Sequence, residues 1–333
     1  MRNIICYLEY LGAKALALAV RCMPRSWLAK LAVMMEFCFR AARPYRKLIR
    51  ANIHAAMPEL APPEVERISR ESMRNTFWNF LEFVWMNGDM ERVRRCCQYP
   101  PDPALKQKIV DYDKSGTRII FINPHLGSWE ASGIMVTMFG GIDMAAIAKP
   151  IKNPYINRLL NSGSREKAHG LKIIFSRGAA REAIELMKKG MHLGTLIDQN
   201  TRVRDGGEFL DFFGLSVPSS VSPAVLKRYC DAHDMPAVMI YGTSLRGEDG
   251  LIHPFCLELP RPFDEYPDDR AVIQEFMKIS EAQIRKHPEQ YVWLYNRFQH
   301  IPPGCPEEMR KRYPYYAKEP PPSFFRKLLP RKG

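Results

Sequence analysis

His125 and Glu130 frame the segment His-Leu-Gly-Ser-Trp-Glu, an H-x4-E box. Histidine is the side chain best suited to take up and return a proton near neutral pH. A carboxylate bonded to one ring nitrogen fixes the tautomer that leaves the other nitrogen free. Such a pair suits removal of a proton from a hydroxyl as it attacks. The same spacing is also met by a solvated pair in a loop, so it does not decide the matter alone. No H-E-x-x-H and no C-x-x-C occurs, so the residue pattern gives no support to a zinc site.

The flanking residues say what must position the box. Ile119–Ile122 is short, β-branched and aromatic, the mark of a buried strand. Pro124 ends its ladder, and Gly127 permits a tight turn. An apolar helical stretch then runs over Ser128–Phe139. The histidine is thus expected in a loop at a strand end, with the carboxylate in the first helical turn. Further strand-like runs are Met144–Ala148, Ile173–Phe175, His192–Ile197, Ala237–Tyr241 and Ile252–Leu257. Helix-like runs are Pro154–Lys167, Ala179–Lys189, Ser219–Ala232 and Arg270–Lys286. The alternation predicts an α/β fold, a mostly parallel open sheet flanked by helices. In such sheets ligands collect where strands end. Lys149 and Asn153 follow one strand, Arg177 another, and Asp198 with Gln199 a third. Each cluster also reads as a simple turn; their recurrence after successive strands predicts one shared pocket.

The net charge is +13, and it sits at the ends. Residues 1–50 carry ten Lys/Arg against two Glu, residues 303–333 eight against three, and the middle is balanced. The ends are also apolar. Ile4, Leu8, Leu11, Ala15, Leu18 and Cys22 share one helical face. A second helix, with Ser26 as its N-cap, carries Leu28, Leu31, Ala32, Met35 and Phe39 on one side. Ser323–Pro330 forms a short basic amphipathic piece after three prolines. These features predict basic amphipathic ends lying in an anionic membrane surface; ordinary core helices with solvated charges are the alternative. A nucleic-acid role fits less well, because the end aromatics cluster with aliphatics. The eight cysteines form no spaced framework and no cleavable signal is visible, which predicts a reducing, cytoplasm-facing location. No phosphate-loop motif is present. The expected organisation is membrane-associated helices over 1–42, an α/β domain over 43–302 and a basic Pro-rich tail over 303–333.

Taken in order, several motifs resemble the secondary (lauroyl/myristoyl) acyltransferases of lipid A biosynthesis and related glycolipid acyltransferases. They are Arg50-Ala-Asn-Ile-His-Ala-Ala-Met-Pro-Glu-Leu, the H-x4-E box, Lys149-Pro-Ile-Lys-Asn-Pro-Tyr-Ile-Asn-Arg-Leu-Leu, Asp198-Gln, Phe212-Phe-Gly-Leu, and Pro288-Glu-Gln-Tyr-Val-Trp-Leu-Tyr-Asn-Arg-Phe. The chain departs from the usual pattern at Tyr295-Asn296-Arg297 and after Phe212-Phe-Gly. The resemblance implies a glycerol-3-phosphate acyltransferase-like fold and an enzyme on the cytoplasmic face of the inner membrane. It implies transfer of a fatty acyl chain from a thioester donor, usually acyl carrier protein with coenzyme A as the alternative, to a hydroxyl of a glycolipid acceptor, with membrane lipids as further partners and no cofactor. A lysophospholipid or another lipid-linked sugar is the alternative acceptor. The resemblance also implies that Arg165 and Asp198 line the site, with Arg177 and Gln199 nearby.

The mechanism expected on these grounds has His125 as general base and Glu130 as its orienting carboxylate. Backbone N–H groups of Gly127 and Ser128, or the guanidinium of Arg165 or Arg177, would meet the oxyanion or a phosphate. Asp198 would anchor Arg165 or a pocket loop.

Overall fold

The computed structural model describes residues 2–99, 102–175 and 178–326. Six helices precede the sheet: α1 (Arg2–Cys22), α2 (Arg25–Phe39), α3 (Arg43–Ala56), α4 (Pro62–Met86), α5 (Met90–Cys96) and α6 (Pro103–Lys114). The strands β1 (Arg118–Asn123), β2 (Met144–Ala148), β3 (Leu171–Phe175), β4 (His192–Leu196), β7 (Ala237–Arg246) and β8 (Ile252–Glu258) form one sheet in the order β3-β2-β4-β1-β7-β8. All neighbours are parallel except β8, which runs antiparallel to β7. The expected mostly parallel α/β sheet is therefore the observed one.

β1 lies centrally and is buried on both faces, as its unbroken Ile-Ile-Phe-Ile requires. Ile120 and Ile122 join the larger core on one face, with Val272, Phe276 and Leu193. Ile119 and Phe121 join a smaller core with Ile109, Met144 and Ile173 on the other. This is the two-residue alternation of a strand. The crossovers carry α7 (Trp129–Met138), α8 (Pro154–Asn157) running into a π-helical segment Arg158–Ala168, and α9 (Ala179–Lys188). An eleven-residue π-helical run is unusual and bulges the chain between β2 and β3.

Several expectations are corrected. The single helix over Pro154–Lys167 is instead α8 plus the π-helical segment. Ser219 and Ser220 do not start a helix. They end β6 (Leu215–Ser220), paired with β5 (Gly207–Phe212) in a hairpin the apolar pattern did not reveal. Its turn, Phe213-Gly214, has positive φ at both residues, the geometry that matches strand twist. The helix α10 begins only at Ser222 and runs to Asp231, and α11 covers Asp269–Lys286. Ser26 does not cap α2, which starts at Arg25 behind Pro24 with no side-chain cap.

The expected apolar face of α1 is exposed, while that of α2 is not. Ile4, Leu8, Leu11 and Leu18 of α1 are exposed, and Val20 near its end is buried. Residues Asn3–Cys22, of mean hydropathy 1.3, form a helix long and apolar enough to cross a membrane. On α2 the expected apolar face is core: Leu28 and Ala32 are buried, and the ring of Phe39 lies 5.6 Å from that of Phe77 on α4. Trp27, Val33, Met34 and Phe37 are exposed instead. The segment from 303 to 326 packs onto the domain through buried Tyr313 and Phe324, and the remainder of the basic piece lies outside the described residues.

Candidate active site

β1 and β4 are adjacent parallel strands, with Asn123 level with Leu196. His125 lies two residues past the end of β1, and Asp198 two past the end of β4. The parallel register thus brings together two residues 73 apart in sequence. The His125 Nδ1–H donates to Asp198 Oδ1 at 2.7 Å, and the His125 backbone N–H donates to Asp198 Oδ2 at 2.8 Å. Asp198 is 2% exposed. Burial opposes its ionisation, but the His125 imidazole and hydrogen bonds outweigh this, and Arg297 adds to them. The carboxyl is held below its ordinary range. With Nδ1 bound to the carboxylate, His125 Nε2 keeps its lone pair. The Gln199 amide donates to it at 3.2 Å, and the same amide's oxygen accepts from Lys149 at 3.4 Å. The His125 ring meets Trp129 edge-on, centroids 5.2 Å apart.

Glu130 makes no hydrogen bond to His125 among the described residues. The expected pairing is corrected: Glu130 takes Arg165 in a two-pronged ion pair, Nε to Oε2 at 3.0 Å and Nη2 to Oε1. The reason is geometric. Glu130 sits in the first turn of α7, and the π-helical segment crosses in front of it. Arg165 Nη1 also donates to Asn161 at 2.6 Å. Burial would lower the Arg165 pKa, but Glu130 outweighs it and raises it above its ordinary value. A guanidinium has five N–H groups, so two remain for a ligand.

The expected backbone oxyanion donors are corrected too. Gly127 N–H donates to Gln290 O at 2.9 Å and Ser128 N–H to Ser244 O at 2.7 Å, so both are committed to the fold. Gly127 has φ +63°, and a Cβ there would lie 2.1 Å from Ser244 O, so only glycine fits. The first-turn N–H groups of α7, at Trp129 to Ala131, are those a helix leaves without an intrahelical acceptor.

Asn153, expected to bind substrate, is occupied. Its Oδ1 caps α8 by accepting from Tyr155 and Ile156 N–H, and its Nδ2 donates to Cys6 O and Glu9 Oε2, both at 2.8 Å. It fastens α1 to the domain. Asp198 does not anchor Arg165, because it is spent on His125. Arg177 lies outside the described residues. The structure therefore joins His125, Asp198, Gln199 and Lys149 in one hydrogen-bonded chain, with Glu130–Arg165 as a second pair.

Some supporting residues were not singled out in the sequence. Arg297 is buried and donates to Asn200 Oδ1 at 3.0 Å and to Pro218 O at 3.1 Å, fixing the loop after Asp198. Asn200 N–H donates to the Tyr295 hydroxyl at 3.0 Å. Asn79 Nδ2 donates to Gly127 O at 2.9 Å. Arg246 holds Asn79 at 2.8 Å and fully buried Glu82 at 2.5 Å, and stacks 3.8 Å over Trp78. Arg297 falls within the Pro288–Phe298 motif, but neither spacing nor periodicity pointed to Asn79 or Arg246.

Residues 1–300 match the family model described as bacterial lipid A biosynthesis acyltransferase. The chain is 25% identical over 271 residues to the lipid A biosynthesis palmitoleoyltransferase of Escherichia coli K12, covering 79% of this chain and 83% of that protein. A lipid A biosynthesis acyltransferase of Shigella flexneri matches equally. A second Shigella flexneri protein, lipid A biosynthesis acyltransferase 2, is 22% identical over 260 residues, 77% of this chain and 78% of its own. With the family model spanning nine-tenths of the sequence, the chain belongs to the bacterial lipid A biosynthesis acyltransferases.

Proposed function

We propose that this protein transfers a fatty acyl chain from a thioester on acyl carrier protein to a hydroxyl of a lipid A-type glycolipid, at the cytoplasmic face of the inner membrane. The observation that carries the reading is the His125–Asp198 pair at the C-terminal edge of the sheet, in a chain of this family. The names of the relatives support lipid A as the acceptor class, and α1 supports a membrane location.

Asp198 keeps the proton on Nδ1, so Nε2 is the base. The acceptor hydroxyl displaces the Gln199 amide from Nε2 and gives up its proton as its oxygen bonds to the thioester carbonyl carbon. The carbonyl electrons move onto oxygen, giving a tetrahedral oxyanion. Its collapse breaks the C–S bond, and the departing thiolate takes the proton from Nε2. The products are an ester and a free thiol. The imidazolium formed midway is stabilised by the buried Asp198 carboxylate. In this reading the first-turn N–H groups of α7 and the two remaining donors of Arg165 meet the negative charge, as oxyanion or acceptor phosphate. Glu130 holds the guanidinium fork in place.

The test supplies purified protein with an acyl carrier protein thioester and an underacylated lipid A precursor, and reads products by mass spectrometry. One added acyl group on the precursor is expected. Acylation of a lysophospholipid alone would reject the acceptor, and an acyl-coenzyme A preference would reject the donor.

A further inference from the structure

Helix α2 is apolar on both sides. Its inner face packs on α4, and its outer face leaves Trp27, Val33, Met34 and Phe37 exposed, with Phe37 66% accessible. Helices of this kind are buried somewhere. Along one edge of that face runs a groove of about 600 Å³ between α2 and α4. Val33, Met34, Phe37 and Pro63 form its apolar lining, Lys30, Arg40, Arg67, Arg70 and Arg74 its cationic lining, and Glu36, Glu66 and Glu71 its acidic one, Glu66 being paired with Arg50 outside the groove lining. Arg67, Arg70 and Arg74 lie at i, i+3 and i+7, one stripe of α4. Three of the cations are partly neutralised. Arg40 and Arg70 flank the buried Glu36 at 3.1 and 3.7 Å, and Arg67 pairs with Glu64 and Glu71. Lys30 and Arg74 have no acidic partner among the described residues. Arg40 also stacks 4.9 Å over Phe37, joining the apolar and cationic linings.

We propose that this groove binds the headgroup phosphate of an anionic bilayer phospholipid, with the outer face of α2 lying among the acyl chains. The inference rests on the membrane location proposed above. An apolar wall beside unpaired cations matches the two ends of such a lipid. α1, separated from α2 only by Met23 and Pro24, also exposes Ile4, Leu8, Leu11 and Leu18, and this second bare apolar surface favours a lipid over an acidic protein as the occupant. α2 is then a second, in-plane contact that fixes how the domain stands on the membrane.

The experiment uses the full chain reconstituted in vesicles of zwitterionic lipid with a minor share of phosphatidylglycerol. Trp27 emission, taken as the difference between wild type and Trp27→Phe, is followed with the bromine label on the chains of either lipid. Quenching of Trp27 is expected, with a preference of about five- to thirty-fold for the anionic lipid, the attraction of one or two unpaired cations. In a Lys30→Gln/Arg74→Gln variant the two labels should quench equally. A chain that fails to sediment with vesicles overturns the membrane location and this proposal together. A chain that sediments with Trp27 unquenched, or equally quenched by both labels in the wild type, overturns this proposal alone. So does a double variant whose lipid preference survives while its KM for acyl carrier protein rises, which would assign the groove to that protein.

Discussion

Replacing Asp198 by Asn separates the two carboxylates that compete for the role of orienting His125. Asp198 offers one oxygen to the imidazole Nδ1–H at 2.7 Å and the other to the His125 backbone N–H at 2.8 Å. An amide has one oxygen and one NH2. If its oxygen keeps the backbone bond, its NH2 faces Nδ1 and drives the ring to the tautomer with the proton on Nε2. The lone pair the acceptor hydroxyl needs is then gone. If the amide turns over, its NH2 opposes the backbone N–H and the loop shifts. The imidazolium also loses its buried counter-charge. A fall in kcat of roughly three to four decades follows, the size of effect known where an orienting carboxylate is changed this way. KM should move little, because Asp198 is buried behind the imidazole. The assay is steady-state transfer from acyl carrier protein thioester, with thermal melting to show that the variant folds. An Asp198→Asn enzyme within a few-fold of wild-type kcat, beside a Glu130→Gln enzyme that has lost three decades, would return the orienting role to Glu130 and refute the reasoning.

Glu130→Gln leaves the Arg165 guanidinium without its counter-ion in a site where both side chains are less than a quarter exposed, and should cost roughly 2–4 kcal/mol in chemical denaturation. Arg165→Lys keeps the charge but loses the fork, so it should remain impaired; a KM effect marks contact with the acceptor phosphate, a kcat effect contact with the oxyanion. Gly127→Ala places a methyl on the Ser244 carbonyl in a left-handed backbone and should lose at least roughly 2 kcal/mol of stability, with turnover falling as the His125 loop moves. His169 is buried, its ring nitrogens have no hydrogen-bond partner among the described residues, and burial lowers its pKa to about 4. It stays neutral in the folded chain while the unfolded chain protonates near pH 6.5. Stability should therefore fall by about 3 kcal/mol as pH drops from 6.5 towards 4, and His169→Phe should flatten that slope in pH-dependent melting.

The sheet was legible because its strands are short, apolar and bounded by turn residues, and Ile119–Ile122 could hardly be anything else. The hairpin was not. Leu215-Ser-Val-Pro-Ser-Ser carries a proline and three serines, and nothing local marks it as a strand until β5 supplies its partner. The π-helical segment has the composition of an ordinary helix, and nothing local marks its wider winding. At the site, His125, Glu130, Arg165 and Asp198 were all named from sequence, but their pairing was exchanged. Five residues of separation suggested His125 with Glu130. The pairing follows instead from the order β4-β1 in the sheet, a long-range fact that no local spacing encodes. Asn153 has a use the sequence did not suggest: its position after β2 is right for a pocket, yet α1 packs back from the N-terminal end of the chain and takes its amide.

The most direct test of the account is a single-turnover measurement on His125→Ala. Enzyme in excess over labelled acyl carrier protein thioester and an underacylated lipid A precursor isolates the chemical step from product release. The variant should melt like wild type, bind donor and acceptor, and form ester about two to four decades more slowly, as a general base at His125 requires. Ester formation at the wild-type rate by a folded His125→Ala protein would contradict it.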